Sequence, residues 1–161
     1  MRYFRIIILI FIVFATASCF RLEQYPPEPE IELISFTYVD TVDGLDNPVL
    51  RGTLHFSFVD GDGDIGFDTT SPQQNTIFLE KYRYIDGLLT AVDLQVPLNY
   101  YVPLFEPEGS SKTLKGEIYV NDLDETAPFD GDTIVYKFYI VDREGNVSNV
   151  ESTGDLILSN F

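Results

Sequence analysis

The stretch Asp60-Gly61-Asp62-Gly63-Asp64-Ile65-Gly66 is the one run in this chain with a clear chemical signature. Its three carboxylates fall at alternate positions with glycine between them, and they repel one another unless a cation sits among them. Calcium takes roughly six to eight oxygen ligands, which alternating aspartates can supply. Asp60, Asp62 and Asp64 match the first three ligand positions of an EF-hand loop. The match then fails, because Ile65 stands where that loop needs glycine and Ser71 where it needs glutamate. A second acidic turn, Asp142-Arg143-Glu144-Gly145-Asn146, offers Asp142, Glu144 and Asn146 as further oxygen donors. The expected site is one calcium ion shared by the two loops. The competing reading is two solvated turns whose Asp, Asn and Gly serve turn geometry alone. Three alternating aspartates exceed what a turn needs.

Other chemistry finds little support. His55 is the only histidine, and on an alternating strand it faces away from Leu54, Phe56 and Phe58, toward the surface. Cys19 is the only cysteine, so a His/Cys zinc site and an internal disulfide are both excluded. A glycosidase carboxylate pair is not singled out by any spacing among so many acids. The expectation is a protein that is not an enzyme. The net charge of −16 argues against nucleic acid, which needs a basic face. Aromatic residues offer a rival, binding reading: Tyr100 and Tyr101 in a long connection, with Tyr82 and Tyr84 on a strand, could present flat surfaces to a glycan or protein. The plain alternative is aromatic packing against the domain.

The elements that must position these residues read as short strands. Ile34, Phe36 and Tyr38 alternate on a first strand, and residues 40–48 form a loop. Leu54, Phe56 and Phe58 alternate on the second, just before the acidic run. Residues 76–84 make a third, and Asp86-Gly87 signals a hairpin. Val92, Leu94, Val96 and Leu98 alternate on a fourth, with Pro97 marking it as an edge. After a connection over residues 99–112 come a fifth strand (Leu114, Gly116, Ile118, Val120) and a sixth (Ile134, Tyr136, Phe138, Ile140). Residues 147–158 hold a seventh, broken near Gly154. No stretch beyond the N-terminal segment sustains a helical apolar period. The pattern predicts an all-β, seven-stranded sandwich. It resembles the fibronectin type III version of the immunoglobulin-like fold, which implies strands one, two and five in one sheet and four, three, six and seven in the other. Tyr136, two places before Phe138 and four after Asp132, resembles the tyrosine corner of such domains; an ordinary inward tyrosine is the alternative.

The N-terminus reads as a targeting segment. Arg2 and Arg5 precede an apolar run over residues 6–14, then Ala15-Thr16-Ala17-Ser18-Cys19. Ala17-Ser18-Cys19 resembles the bacterial lipobox, although Thr16 departs from its usual leucine. The resemblance implies a signal peptide over residues 1–18 and a lipidated Cys19. Residues 19–30, rich in proline and glutamate, form an extended tether, and residues 31–161 form the domain. Because the first two strands are antiparallel, the tether enters beside the acidic loops, where Glu28 or Glu30 could add a ligand.

Residues 58–66 and 141–149 are similar to stretches of immunoglobulin-like lipoproteins from Bacteroidetes-type bacteria. That resemblance implies the fold and an envelope address, at the outer membrane, with the membrane reached through the lipid. It implies no activity. Asp40-Thr41-Val42, Asp68-Thr69-Thr70 and Asp132-Thr133-Ile134 resemble the O-glycosylation sequon of such envelope proteins. The expected role is an anchored interaction or structural module with an unidentified protein or glycan partner. The alternative is an accessory glycan-binding lipoprotein of a polysaccharide-uptake system, using Tyr100 and Tyr101.

Overall fold

The computed structural model describes residues 25–68, 74–105, 112–126 and 133–158. The signal segment, Cys19, residues 19–24, Thr69, Thr70 and Asp132 lie outside them. The described chain is all β, without helix, in two antiparallel sheets. Its strands are β1 (Glu30–Val42), β2 (Pro48–Asp60), β3 (Ile77–Ile85), β4 (Leu88–Ala91), β5 (Leu98–Tyr100), β6 (Leu114–Thr126), β7 (Thr133–Ile140), β8 (Glu151–Ser152) and β9 (Leu156–Ile157). One sheet runs β1-β2-β6, and the other β4-β3-β7-β8, with β5 also pairing β3 and β9 also pairing β7.

The division into sheets follows the expected one, and the inward residues are those that alternate. Phe56, Phe58, Tyr136 and Phe138 are all buried, and the Phe56 and Phe138 rings meet across the sheets at 5.0 Å between centroids. Truncating such a ring leaves a cavity that costs about 3–5 kcal/mol, so these contacts hold the sheets together. His55 lies on the outer face, as its alternation requires, but it is sheltered there by the Tyr119 ring at 3.9 Å and by Glu117.

Two boundaries differ from expectation. The fourth strand is not residues 92–98. The Asp86-Gly87 turn, both residues at positive φ, returns the chain at once into β4, which pairs with β3 from Ile85↔Leu88 to Tyr82↔Ala91. The chain then leaves the edge over residues 92–97 and rejoins it as β5, with Pro97 just before the strand rather than within it. The edge is therefore two short pieces, and the described chain has nine strands, not seven. The fifth expected strand is longer than its apolar alternation. As β6 it continues through residues 121–126, where Leu123 packs into the core and Arg51 on β2 grips Asp124 through two hydrogen bonds of 2.7 Å.

The register also fixes where the chain enters. Glu30 pairs with Val59, so β1 begins at the end of the sandwich where β2 delivers Asp60. The pairing Ile77↔Ile140 brings Asp142 to the same end.

Candidate metal centre

Asp60 is the last residue of β2, on the inward side of its alternation, and it is 0% exposed. Its Oδ2 accepts the backbone N–H groups of Asp64 at 2.8 Å and Ile65 at 3.1 Å, which curls the loop back over its own first residue. Gly63 makes that curl possible at φ 71°, a left-handed conformation that side chains resist. Ile65 then anchors the loop in the core.

The second loop is built the same way. Asp142, 2% exposed, accepts the Asn146 N–H on Oδ1 and the Asn146 side-chain amide on Oδ2, each at 2.8 Å. The two loops are latched together. Glu144 N–H donates to Asp64 Oδ2 at 3.1 Å, and the Arg143 guanidinium donates to Gly66 O at 3.0 Å.

The result is a cluster in which Asp60, Asp62, Asp64 and Asp142 each offer one carboxylate oxygen, all within 4.8 Å of one another. Two ligands on opposite sides of a calcium ion stand about 4.6–5.2 Å apart, twice the usual calcium–oxygen distance. The four oxygens therefore fit around one cation. Oδ1 of Asp60, Asp62 and Asp64 is in each case buried without a hydrogen-bond partner. A buried polar atom left so is costly, and three in one place mark where a positive group belongs. The electrostatics agree. Burial, then the Asp62 carboxyl, pushes Asp60 up to about 6. Asp64 is also raised, by burial and then by the charges of Asp142 and Asp62, with Arg143 opposing. All-oxygen, carboxylate-rich donors suit a hard cation rather than zinc or copper.

Four of the expected ligands are thus brought together. Glu144 reaches the cluster through its backbone, while its side chain is exposed. Asn146 donates its side-chain N–H to Asp142 Oδ2 and so orients that carboxylate. Glu28 and Glu30 are exposed and outside the cluster. Arg143 went unnoticed in the sequence; as the single cation of the second loop it was the residue to ask about.

The entry segment lies against this end. A side chain at Gly61 would come 2.1 Å from Pro26 O and 2.5 Å from Tyr25 O, so residues 25–26 pass directly over the loop. The Tyr25 ring carries Lys115 Nζ at 4.0 Å from its centroid. Asn149 clamps the start of β1, accepting from Ile31 N–H at 2.8 Å and donating to Ile31 O at 2.9 Å.

The aromatic residues are placed differently. Tyr101 donates its hydroxyl to Phe67 O, and Tyr100 hydrogen-bonds Asp122, which with burial holds its hydroxyl well above the usual range. Tyr82 and Tyr84 spend their hydroxyls on Glu80 and Asp155. Tyr136 is an inward tyrosine. It donates to Glu125 Oε1 at 2.7 Å, across the sandwich, rather than to nearby backbone as a tyrosine corner does.

Comparison with protein-family models, curated proteins and solved structures gives no match for this chain.

Proposed function

We propose that this chain is a lipid-anchored module of the bacterial cell envelope, an immunoglobulin-like outer-membrane lipoprotein of the Bacteroidetes type. Calcium rigidifies it at the end where its tether enters. It works by interaction or as structure rather than by catalysis. The observation that carries this reading is the set of three buried, unpartnered carboxylate oxygens converging from two latched loops. The segment crossing Gly61 lies against those loops, so an ion that fixes them stiffens the joint between tether and domain. The lipobox-like Ala17-Ser18-Cys19 supports the anchor. The glycan-binding alternative has less to rest on, because the Tyr100 and Tyr101 hydroxyls already have internal partners.

The test is thermal unfolding with calcium, with magnesium and with chelator, on the wild type and on Asp62→Asn/Asp64→Asn. Calcium at a hundredfold excess over its dissociation constant adds about 2.7 kcal/mol of stability to a protein that binds it only when folded. That gain appears in the wild type, is larger than with magnesium, and is lost in the double variant. An unchanged melting temperature in wild type overturns the ion. A shift that persists in the variant moves it elsewhere.

A further inference from the structure

A second feature starts beside the acidic end, where Leu114 pairs with Asp60, and runs from there along the edge of β6 that no described strand covers. A groove of about 680 Å³ runs beside residues 114–122 of that strand, with residues 100–103 and Phe105 as its opposite wall. Its floor is the exposed margin of the core: Phe58, Ile77, Val102 and Val120. We propose that this groove takes an extended peptide of alternating apolar and basic residues, which adds to β6 as a further strand.

Three observations select that occupant. The first is the edge itself. β6 pairs with β2 on one side, and among the described residues no strand pairs with it on the other. Residues 114–122 span about 30 Å at strand rise, and an unpaired edge of that length is a ready template for another chain. Its one irregularity is a bulge at residues 121–122, where the register with β2 shifts, and residues 114–120 run regularly. The stretch has no proline, and its only cation, Lys115, is drawn away onto the Tyr25 ring. The second is the shape of the groove. A guest strand on this edge points every other side chain over the apolar floor, which gives pockets for alternate residues. The third is charge. Glu117, with His55 beside it, and Asp122, bonded to Tyr100 of the facing wall, stand exposed on the strand at the rim, in a chain of net charge −16. A basic guest is attracted. A second copy of this chain pairing through its own β6 would bring the same carboxylates together, which is repulsive.

This goes beyond the calcium reading and uses none of its ligands, so either can fail alone. The probe is a synthetic peptide of alternating valine and lysine, added to the protein with calcium and with chelator and followed by amide hydrogen exchange. The expected result is slowed exchange confined to β6 over residues 114–122. Binding weakens about tenfold, the effect of losing one or two backbone hydrogen bonds, when the peptide's edge-facing amides are methylated. An alternating valine–glutamate peptide binds more weakly than the lysine one, and Glu117→Lys narrows that difference. Equal binding of the methylated peptide overturns the strand pairing. Slowed exchange outside β6 overturns the site, and saturable binding of maltohexaose or cellohexaose that displaces the peptide assigns the groove to a glycan instead.

Discussion

Asp60 and Glu125 are both buried, one toward each end of β2, and the chain treats these two carboxylates oppositely. Asp60, at the close of the strand, sits among three other aspartates with one carboxylate oxygen unpartnered. Glu125, on β6 across from Leu50 near the start of the strand, is 5% exposed and has two partners from the opposite sheet. Lys81 on β3 reaches across the sandwich to pair with it, and Tyr136 on β7 donates to the same oxygen. The burial is similar and the company is not. Glu125 carries its counter-charge within the chain, so that end is complete when the protein folds. The aspartate cluster has Arg143 latched beside it, too little positive charge for four carboxylates, and its geometry leaves room for a cation from outside. The difference is between a buried charge with its counter-charge inside the fold and a cluster whose oxygens are left unpartnered.

The sharpest way to break the comparison is to take the internal cation away. Lys81→Met leaves Glu125 buried and unpaired, and removing one partner of a buried pair costs about 3–5 kcal/mol. Urea unfolding measures it. Lys81→Met/Glu125→Leu recovers part of the loss, since an apolar pair desolvates nothing charged but leaves the buried Tyr136 hydroxyl without its acceptor. A loss below about 1 kcal/mol for the single variant would mean that Glu125 is not isolated from water.

Next in size is the pH response of the other end. Asp60 titrates near 6 in the folded chain, against about 3.9 unfolded. Between those values the folded state holds a proton that the unfolded state releases. In chelator, stability therefore falls as pH rises through this window, with the relief complete below about pH 4. With calcium present the slope reverses, because ion binding needs the ionised carboxylate. A flat profile in chelator would remove the argument that these aspartates strain the metal-free fold.

The smallest effect has opposite signs in two buffers. Asp64→Asn keeps an oxygen to accept the Glu144 N–H while removing one of the clustered charges. In chelator it raises stability by about 1 kcal/mol, the size of one relieved like-charge contact near water. In calcium it lowers the melting temperature relative to wild type. The same sign in both buffers would mean that Asp64 acts on the loop's shape and not on an ion.

The sequence made one of these ends legible and hid the other, for physical reasons. Asp60, Asp62 and Asp64 stood out because alternating charges with glycine between them have few structural uses. Strand alternation then placed Asp60 and Asp142 at one end, because a period of two fixes faces and hairpin order fixes directions. The buried network around Glu125 was invisible. Lys81, Glu125 and Tyr136 are far apart in the chain, and residues 121–126 lack the apolar alternation that marks the rest of β6. The edge strand failed differently. Leu88, Leu89, Thr90 and Ala91 are all exposed and carry no alternation, so the apolar beat of Val92, Leu94, Val96 and Leu98 drew the assignment off the true strand. Pairing made β4, and pairing leaves little trace in one chain's sequence.

The entry of the chain beside Asp60 has a mechanical meaning. β1 starts at that end, while β9 pairs with Thr133 and Ile134 at the start of β7, at the other end. Tension applied between Tyr25 and Leu158 then runs along the strands. The β1–β2 ladder, paired from Glu30↔Val59 to Val42↔Pro48, takes that load in shear, with its hydrogen bonds stretched together rather than peeled one at a time.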